Sequence, residues 1–260
     1  MNIVHPSFNK RFFMSSVPYF QRILLKISGE MLKGSSSQGI DPAATESVAE
    51  CIREAVATGT QVGLVVGAGN LFRGLSHSRA GVNRSCADNI GMLATAMNAL
   101  ALRDALDALG IPAEVQSAFA IAGVLDPFNQ RRADRLLSAG TVVLFAGGTG
   151  HPYFTTDTCA ALRACEIRAD AVFKGTKVDG IYSADPMRHP DAIRYEKISF
   201  AKALNDRLQV MDATAFSLCQ DNNLPIVVFR FGQPGVLPNI LRGDFHAATL
   251  VSASPETTTT

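Results

Sequence analysis

The sequence predicts an α/β fold: a mostly parallel sheet covered by helices on both faces. Three observations carry this. Short apolar runs of strand length recur, at Arg22–Ile27, Gln61–Val66, Thr141–Phe145, Ala171–Lys174 and Pro225–Arg230. Apart from their end residues and Lys26, these runs are apolar rather than alternating, as strands buried on both faces must be. Segments with apolar residues at helical spacing stand between them, the alternation that builds parallel sheets.

The elements follow in order. Arg22–Ile27 is a strand ended by Ser28-Gly29. Asp41-Pro42 opens a helix, with Asp as cap and Pro at the first helical position, and Thr58-Gly59 closes it. Gln61–Val66 is the second strand. Ala87 to Leu109 reads as a long helix stopped by Gly110-Ile-Pro112, and Ala113–Gln116 as a short strand. Arg131–Ser138 is helical and capped by Gly140, before the strand Thr141–Phe145. A helix over Asp157–Ile167 leads to the strand Ala171–Lys174. Residues 176–196 read as a loop, too long to be idle. Helices over Phe200–Leu204 and Asp212–Asp221, a strand Pro225–Arg230, a short helix Val236–Leu241 and a strand Ala248–Ser252 complete the chain. One domain over residues 21–254 is expected, flanked by a flexible extension over 1–20, within which Met14 is an alternative start, and by a frayed tail over 255–260.

Composition narrows the function classes. The 260 residues are 47% hydrophobic and 18% charged, enough for one large core without staples. The net charge is +1, from 24 basic and 23 acidic residues, so no electrostatic footprint for nucleic acid or an anionic membrane is present. Anions must therefore be held by local geometry. The five cysteines, at 51, 86, 159, 165 and 219, form no CxxC and have no histidine cluster beside them. Reduced thiols and a cytoplasmic location are expected. No continuous apolar stretch suits a signal peptide or a membrane span.

In parallel sheets, ligands sit beyond the carboxyl ends of the strands. The informative loops are therefore 28–34, 67–74, 146–157 and 174–185. Gly67-Ala-Gly69-Asn-Leu-Phe72 is not a dinucleotide fingerprint, because Phe72 stands where the third glycine is needed and Asp88 opens a helix instead of ending a strand. Gly29-Glu-Met-Leu-Lys-Gly34-Ser35 is not a Walker loop, for it lacks the lysine after the second glycine. Separate glycine loops at one sheet edge remain, and such loops let backbone N–H groups approach phosphate.

Lys26 interrupts an apolar strand and must reach water or a counter-charge. Placed beside Ser28 and Gly29, its ammonium suits phosphate. Arg73 is a phosphate clamp candidate, since its planar fork matches the oxygens. Gly147-Gly-Thr-Gly-His-Pro-Tyr-Phe-Thr-Thr-Asp157 combines glycines, threonine hydroxyls and two aromatics ahead of a helix. In Lys174–Pro186, Lys174, Thr176 and Lys177 supply donors, and Tyr182 offers a flat ring for a base.

Together these stretches resemble the bacterial uridylate kinases of the amino acid kinase family. The matching residues are Lys26-Ile-Ser-Gly29, Gly67–Gly74, Ala87–Thr95, Gly148–Asp157 and Lys174–Pro186, in order and at family spacing from about residue 20 to 253. The resemblance implies a three-layer αβα sandwich and the ATP- and magnesium-dependent conversion of UMP to UDP. It implies that Lys26, Ile27, Ser28, Gly29, Gly69, Arg73, Thr176, Tyr182 and Asp185 bind ATP. UMP would be held by Ala68, Asp88, Thr149, Gly150, His151, Pro152, Tyr153, Phe154, Thr155 and Thr156. Lys26, Asp157 and Lys174 would form the reaction centre, with Asp157 organising the lysines and no metal held by the protein itself. A homohexamer inhibited by UTP is implied as well. Four features depart from the pattern: Ala68 stands for a glycine, Gly175 for an alanine, Lys33–Gly39 differs in the segment linked to activation by GTP, and the N-terminal extension is longer than the resemblance implies. Alternatives are a related kinase acting on a carboxylate or carbamate, and a nucleotide-binding storage or sensor protein of the same fold.

Overall fold

The computed structural model describes residues 18–72, 83–184, 188–189, 191–206, 208, 211–253 and 257–258. Its strands are β1 (Arg22–Ile27), β2 (Gln61–Val66), β3 (Ala113–Ser117), β4 (Asp126–Pro127), β5 (Val142–Ala146) and β6 (Ala171–Thr176), followed by β7 (Ile181–Tyr182), β8 (Arg194–Ser199), β9 (Ile226–Arg230), β10 (Ala248–Ser252) and β11 (Thr257–Thr258). The helices are α1 (Pro42–Val56), α2 (Arg84–Ala108), α3 (Gln130–Ser138), α4 (Thr156–Glu166), α5 (Phe200–Asn205), α6 (Ala213–Asp221) and α7 (Val236–Leu241).

Among the described residues the strands form one sheet in the order β11-β8-β10-β9-β6-β1-β2-β5-β3-β4, with β7 paired to β8. From β9 to β4 every pairing is parallel. Antiparallel pairs occur at the other end, where β10 meets β9 and β8 meets both β7 and β11. The predicted three-layer αβα architecture is therefore the one observed.

Strand alternation divides the core into two layers. Ile23, Leu25 and Ile27 of β1 face α1, α2 and α7, while Leu24 faces α3, α4 and α6. Phe173 and Val172 of β6 divide in the same way. By period 2, Lys26 and Lys174 share the face of Leu24 and Val172, the face on which α4 packs.

The predicted elements are present with shifted ends. The long helix starts at Arg84, earlier than the apolar pattern suggests, because the Asn83 side chain caps it by accepting from the Ser85 N–H at 2.9 Å. The expected loop over 176–196 holds β7 and β8. The strand β8 reads Arg-Tyr-Glu-Lys-Ile-Ser and buries only Tyr195 and Ile198, so no apolar run marks it. Phe20, placed in the flexible extension, is 5% exposed and packs edge-on against Phe173 and Phe245. The expected frayed tail contributes Thr257–Thr258 to the sheet edge beside β8.

Candidate active site

The carboxyl ends of β1, β2, β5 and β6 lie side by side, and the loops leaving them carry the predicted site. Lys26 and Lys174 are register partners across the parallel pair β1–β6. Their ammonium groups end on one carboxylate. Lys26 Nζ lies 2.7 Å from Asp157 Oδ1, and Lys174 Nζ lies 2.8 Å from Oδ2. All three side chains are largely buried, between 13% and 18% exposed. Burial pushes the Asp157 carboxyl pKa up, but Lys26 and Lys174 outweigh burial and hold it below the usual value. Asp157 sits in the first turn of α4, where the helix dipole also favours negative charge.

The β1 loop turns straight into a short 3-10 helix, Gly29–Leu32, capped by the Ser28 hydroxyl. Gly29 is required there by close approach. A Cβ on it would stand 2.2 Å from the Gly67 carbonyl oxygen and 2.4 Å from Asn70 Oδ1. The two glycine turns, after β1 and after β2, thus touch. Gly67 N–H donates to the Ile27 carbonyl at 3.0 Å. The Ile27 side chain is fully buried in the core, so its part in any site is backbone only. The Ala68 carbonyl accepts from both Leu71 and Phe72 N–H groups at 2.9 Å, which closes the turn around Gly69.

The loop after β5 is fixed from two sides. Gly147 has φ +75°, and its N–H donates to Thr95 Oγ1 on α2 at 2.9 Å. Gly150 closes back on the Gly147 carbonyl at 3.0 Å. Asp88 on α2 accepts from the Tyr153 N–H at 2.8 Å and from Arg84 Nε at 2.7 Å. Tyr153 itself has φ +72° and is 67% exposed, with the Arg84 guanidinium over its ring. His151 hydrogen-bonds within the loop, to Thr149, while Pro152 is half-buried and Phe154 is exposed. Thr155 caps α4 by accepting from the Asp157 N–H, and Thr156 Oγ1 stands close to Gly67.

At the end of β6, Thr176 donates to the Val178 carbonyl at 2.6 Å. Tyr182 donates to Asp179 Oδ1 at 2.7 Å, and burial, then Asp179, raises its pKa. A cleft of about 670 Å³ opens here, lined by Ser28, Glu30, Thr176, Lys177, Arg230 and Cys51 among others. Lys177 pairs with Glu30 across it at 3.1 Å. Arg73 and Asp185 lie outside the described residues.

The structure thus brings together Lys26, Asp157 and Lys174, and the loops carrying Ser28, Gly29, Ala68, Gly69 and residues 149–156 leave the same edge of the sheet. It also reveals contributors that the sequence did not single out. Asn98 and Thr95 project from α2 onto the glycine loops. The Asp212 carboxylate accepts from the Thr155 and Thr158 hydroxyls and from the Ala215 N–H, tying the start of α6 to the start of α4. Thr95 and Asn98 are polar residues at inward helical positions among Ala94, Ala99 and Leu102. That break in the apolar stripe is the signal that could have found them.

Lysines sharing a buried carboxylate at the sheet edge from which the glycine turns leave suit a phosphotransferase of the three-layer α/β type. Residues 21–230 match the amino acid kinase family, and the chain belongs to that family. It is 52% identical over 235 residues to the uridylate kinase of Legionella pneumophila (strain Paris), covering 90% of this chain and 95% of that one. Among solved structures, it resembles a UMP kinase from Bacillus anthracis with TM-score 0.89, 34% identity and coverage of 93% of this chain and 99% of that one. A UMP kinase from Ureaplasma parvum gives TM-score 0.84 and 39% identity, over 89% and 98% of the two chains.

Proposed function

We propose that this chain is an ATP-dependent UMP kinase that transfers the γ-phosphoryl group of ATP to UMP. The single observation that carries the mechanism is the shared carboxylate, Asp157, with an ammonium on each oxygen. The acceptor is a phosphate oxygen, largely ionised at neutral pH because the second phosphate pKa is about 6. No general base is then needed. The barrier lies in bringing two polyanions together, so alignment and charge neutralisation supply the catalysis. Lys26 and Lys174 neutralise the transferring group, and Asp157 orients both. The N-terminal half of the domain is acceptor-binding and the C-terminal half ATP-binding only in outline, since the β1 and β2 turns serve ATP and the 149–156 loop serves UMP. In that assignment Asp88 holds the 149–156 loop against UMP, Ser28, Gly29 and Gly69 meet the ATP phosphates, and Thr176 and Tyr182 flank the adenosine end. Arg73 and Asp185 keep the ATP roles that the resemblance implies.

Magnesium is expected to arrive with the triphosphate. Among the described residues no group of three or more histidines, cysteines or acids could hold a metal ion. Both Asp157 oxygens are taken by lysines. In this proposal the phosphates and water ligate the ion.

Among the described residues no helix is long and apolar enough to cross a membrane. A cytoplasmic location is part of this proposal, as are inhibition by UTP and assembly into a hexamer. On α2, Ile90, Leu93 and Met97 are 40%, 48% and 55% exposed at helical spacing, an apolar stripe suited to contact between copies.

The test is ADP release by the purified protein with ATP, magnesium and one acceptor at a time: UMP, CMP, GMP, glutamate, aspartate or carbamate. Release with UMP alone is expected. Release with an amino acid or carbamate would keep the fold and the donor cleft but overturn the acceptor.

A further inference from the structure

Behind the two glycine turns lies a buried amide pair. Asn98 is 0% exposed and Asn70 is 1% exposed. Asn98 Nδ2 donates to Asn70 Oδ1 at 2.7 Å, and Asn70 Nδ2 donates back to Asn98 Oδ1 at 3.0 Å. The second hydrogen of each amide is also used. Asn98 Nδ2 donates to the Gly67 carbonyl at 2.7 Å, and Asn70 Nδ2 to the Gly39 carbonyl at 2.8 Å. A Cβ on Gly29 would reach within 2.8 Å of Asn98 Nδ2, so the amide pair abuts the first turn as well as the second. Each donor and acceptor in the pair has a defined partner, which leaves one arrangement of the four residues.

We propose that Asn98 is a positioning residue: through Asn70 and the Gly67 carbonyl it sets the separation of the turns after β1 and β2. The proposal rests on the phosphotransferase reading, because those turns are the ones that would hold the reacting phosphates. One turn of helix earlier, Thr95 holds the Gly147 N–H, so a single face of α2 spaces three loops of the site. Alignment is where such spacing acts. A displacement of about 1 Å at the reacting atoms costs about 10²-fold in rate.

The experiment compares full-length wild type, Asn98→Ala and Asn98→Asp by amide hydrogen exchange and steady-state kinetics. In Asn98→Ala, faster exchange is expected at residues 29–32 and 67–72, with none in β5 or β6. The kcat should fall about 10²-fold while KM for each nucleotide changes far less. A folded Asn98→Ala with unchanged exchange at both turns overturns the proposal whatever its activity, and so does one with wild-type kcat. Asn98→Asp keeps the volume but loses both donors. Its kcat should therefore fall about as far as that of Asn98→Ala, with faster exchange at the same two turns. A folded Asn98→Asp with wild-type kcat and unchanged exchange at both turns overturns the proposal even where Asn98→Ala does not fold. A wild type that is inactive with UMP would overturn the reading of function alone, and exchange would still decide the role of Asn98.

Discussion

Lys26 and Lys174 stand side by side as register partners on parallel strands, and their ammonium groups end on opposite oxygens of Asp157. Two like charges side by side repel, and a buried ammonium is costly without a counter-charge. One carboxylate resolves both problems and leaves a surplus positive charge. That surplus is what a transferring phosphoryl group requires.

Lys26→Met should fold, since its methylenes already pass along an apolar strand, but lose catalysis. By analogy with the loss of an oxyanion donor, kcat is expected to drop about 10²–10³-fold. Circular dichroism and ADP release measure the two halves of this expectation. Near-wild-type turnover would remove Lys26 from the reaction centre.

Acid should weaken the fold through Asp157. Its folded pKa is depressed, so its contribution is complete above the unfolded carboxyl value of about 3.9 and is lost as pH falls through the lower folded value. Urea unfolding from pH 6 down to pH 2 should show a steeper loss for wild type than for Asp157→Asn. Parallel losses would mean that the lysines do not stabilise the carboxylate.

Two glycines in adjoining turns should respond unequally to alanine. At Gly29 the new methyl would meet backbone and amide atoms at 2.2 and 2.4 Å, and a cost of about 1–3 kcal/mol or more is expected. At Gly69 the nearest atoms are side-chain atoms of Glu30 at 3.6 and 3.8 Å, so Gly69→Ala should stay within about 0.5 kcal/mol of wild type. Denaturant midpoints decide. Equal midpoints would argue against the contact between the turns.

Asp88→Ala should act on the acceptor alone. It frees the Tyr153 N–H, which now donates to Asp88 at 2.8 Å, and so loosens the 149–156 loop. A hydrogen bond to a charged group is worth about 1.5–3 kcal/mol, so KM for UMP should rise about tenfold or more while KM for ATP holds. A matching rise for ATP would place Asp88 outside a UMP-specific role.

How much of this was legible without coordinates varies by residue. Lys26 was legible because a charge in an apolar strand contradicts its neighbours. The loop 147–157 was legible because its glycines and threonines suit neither strand nor helix. Strand β8 was not, because its mixed polar residues show no run and its place depends on pairing with β7, β10 and β11. Asn98 was not, because a lone polar residue in a long helix reads as surface until the opposing loop is known.

By itself the sequence determined the alternation of strands and helices, the loops at their ends and the residue types that suit phosphate. Those are local properties, carried by periodicity and by the backbone needs of glycine. Only the tertiary structure decided that Lys26 and Lys174 are partners, that α4 delivers Asp157 between them, and that Asn98 braces the turns. Register and helix approach set those contacts, and both arise from packing between segments far apart in the chain, which no local pattern encodes.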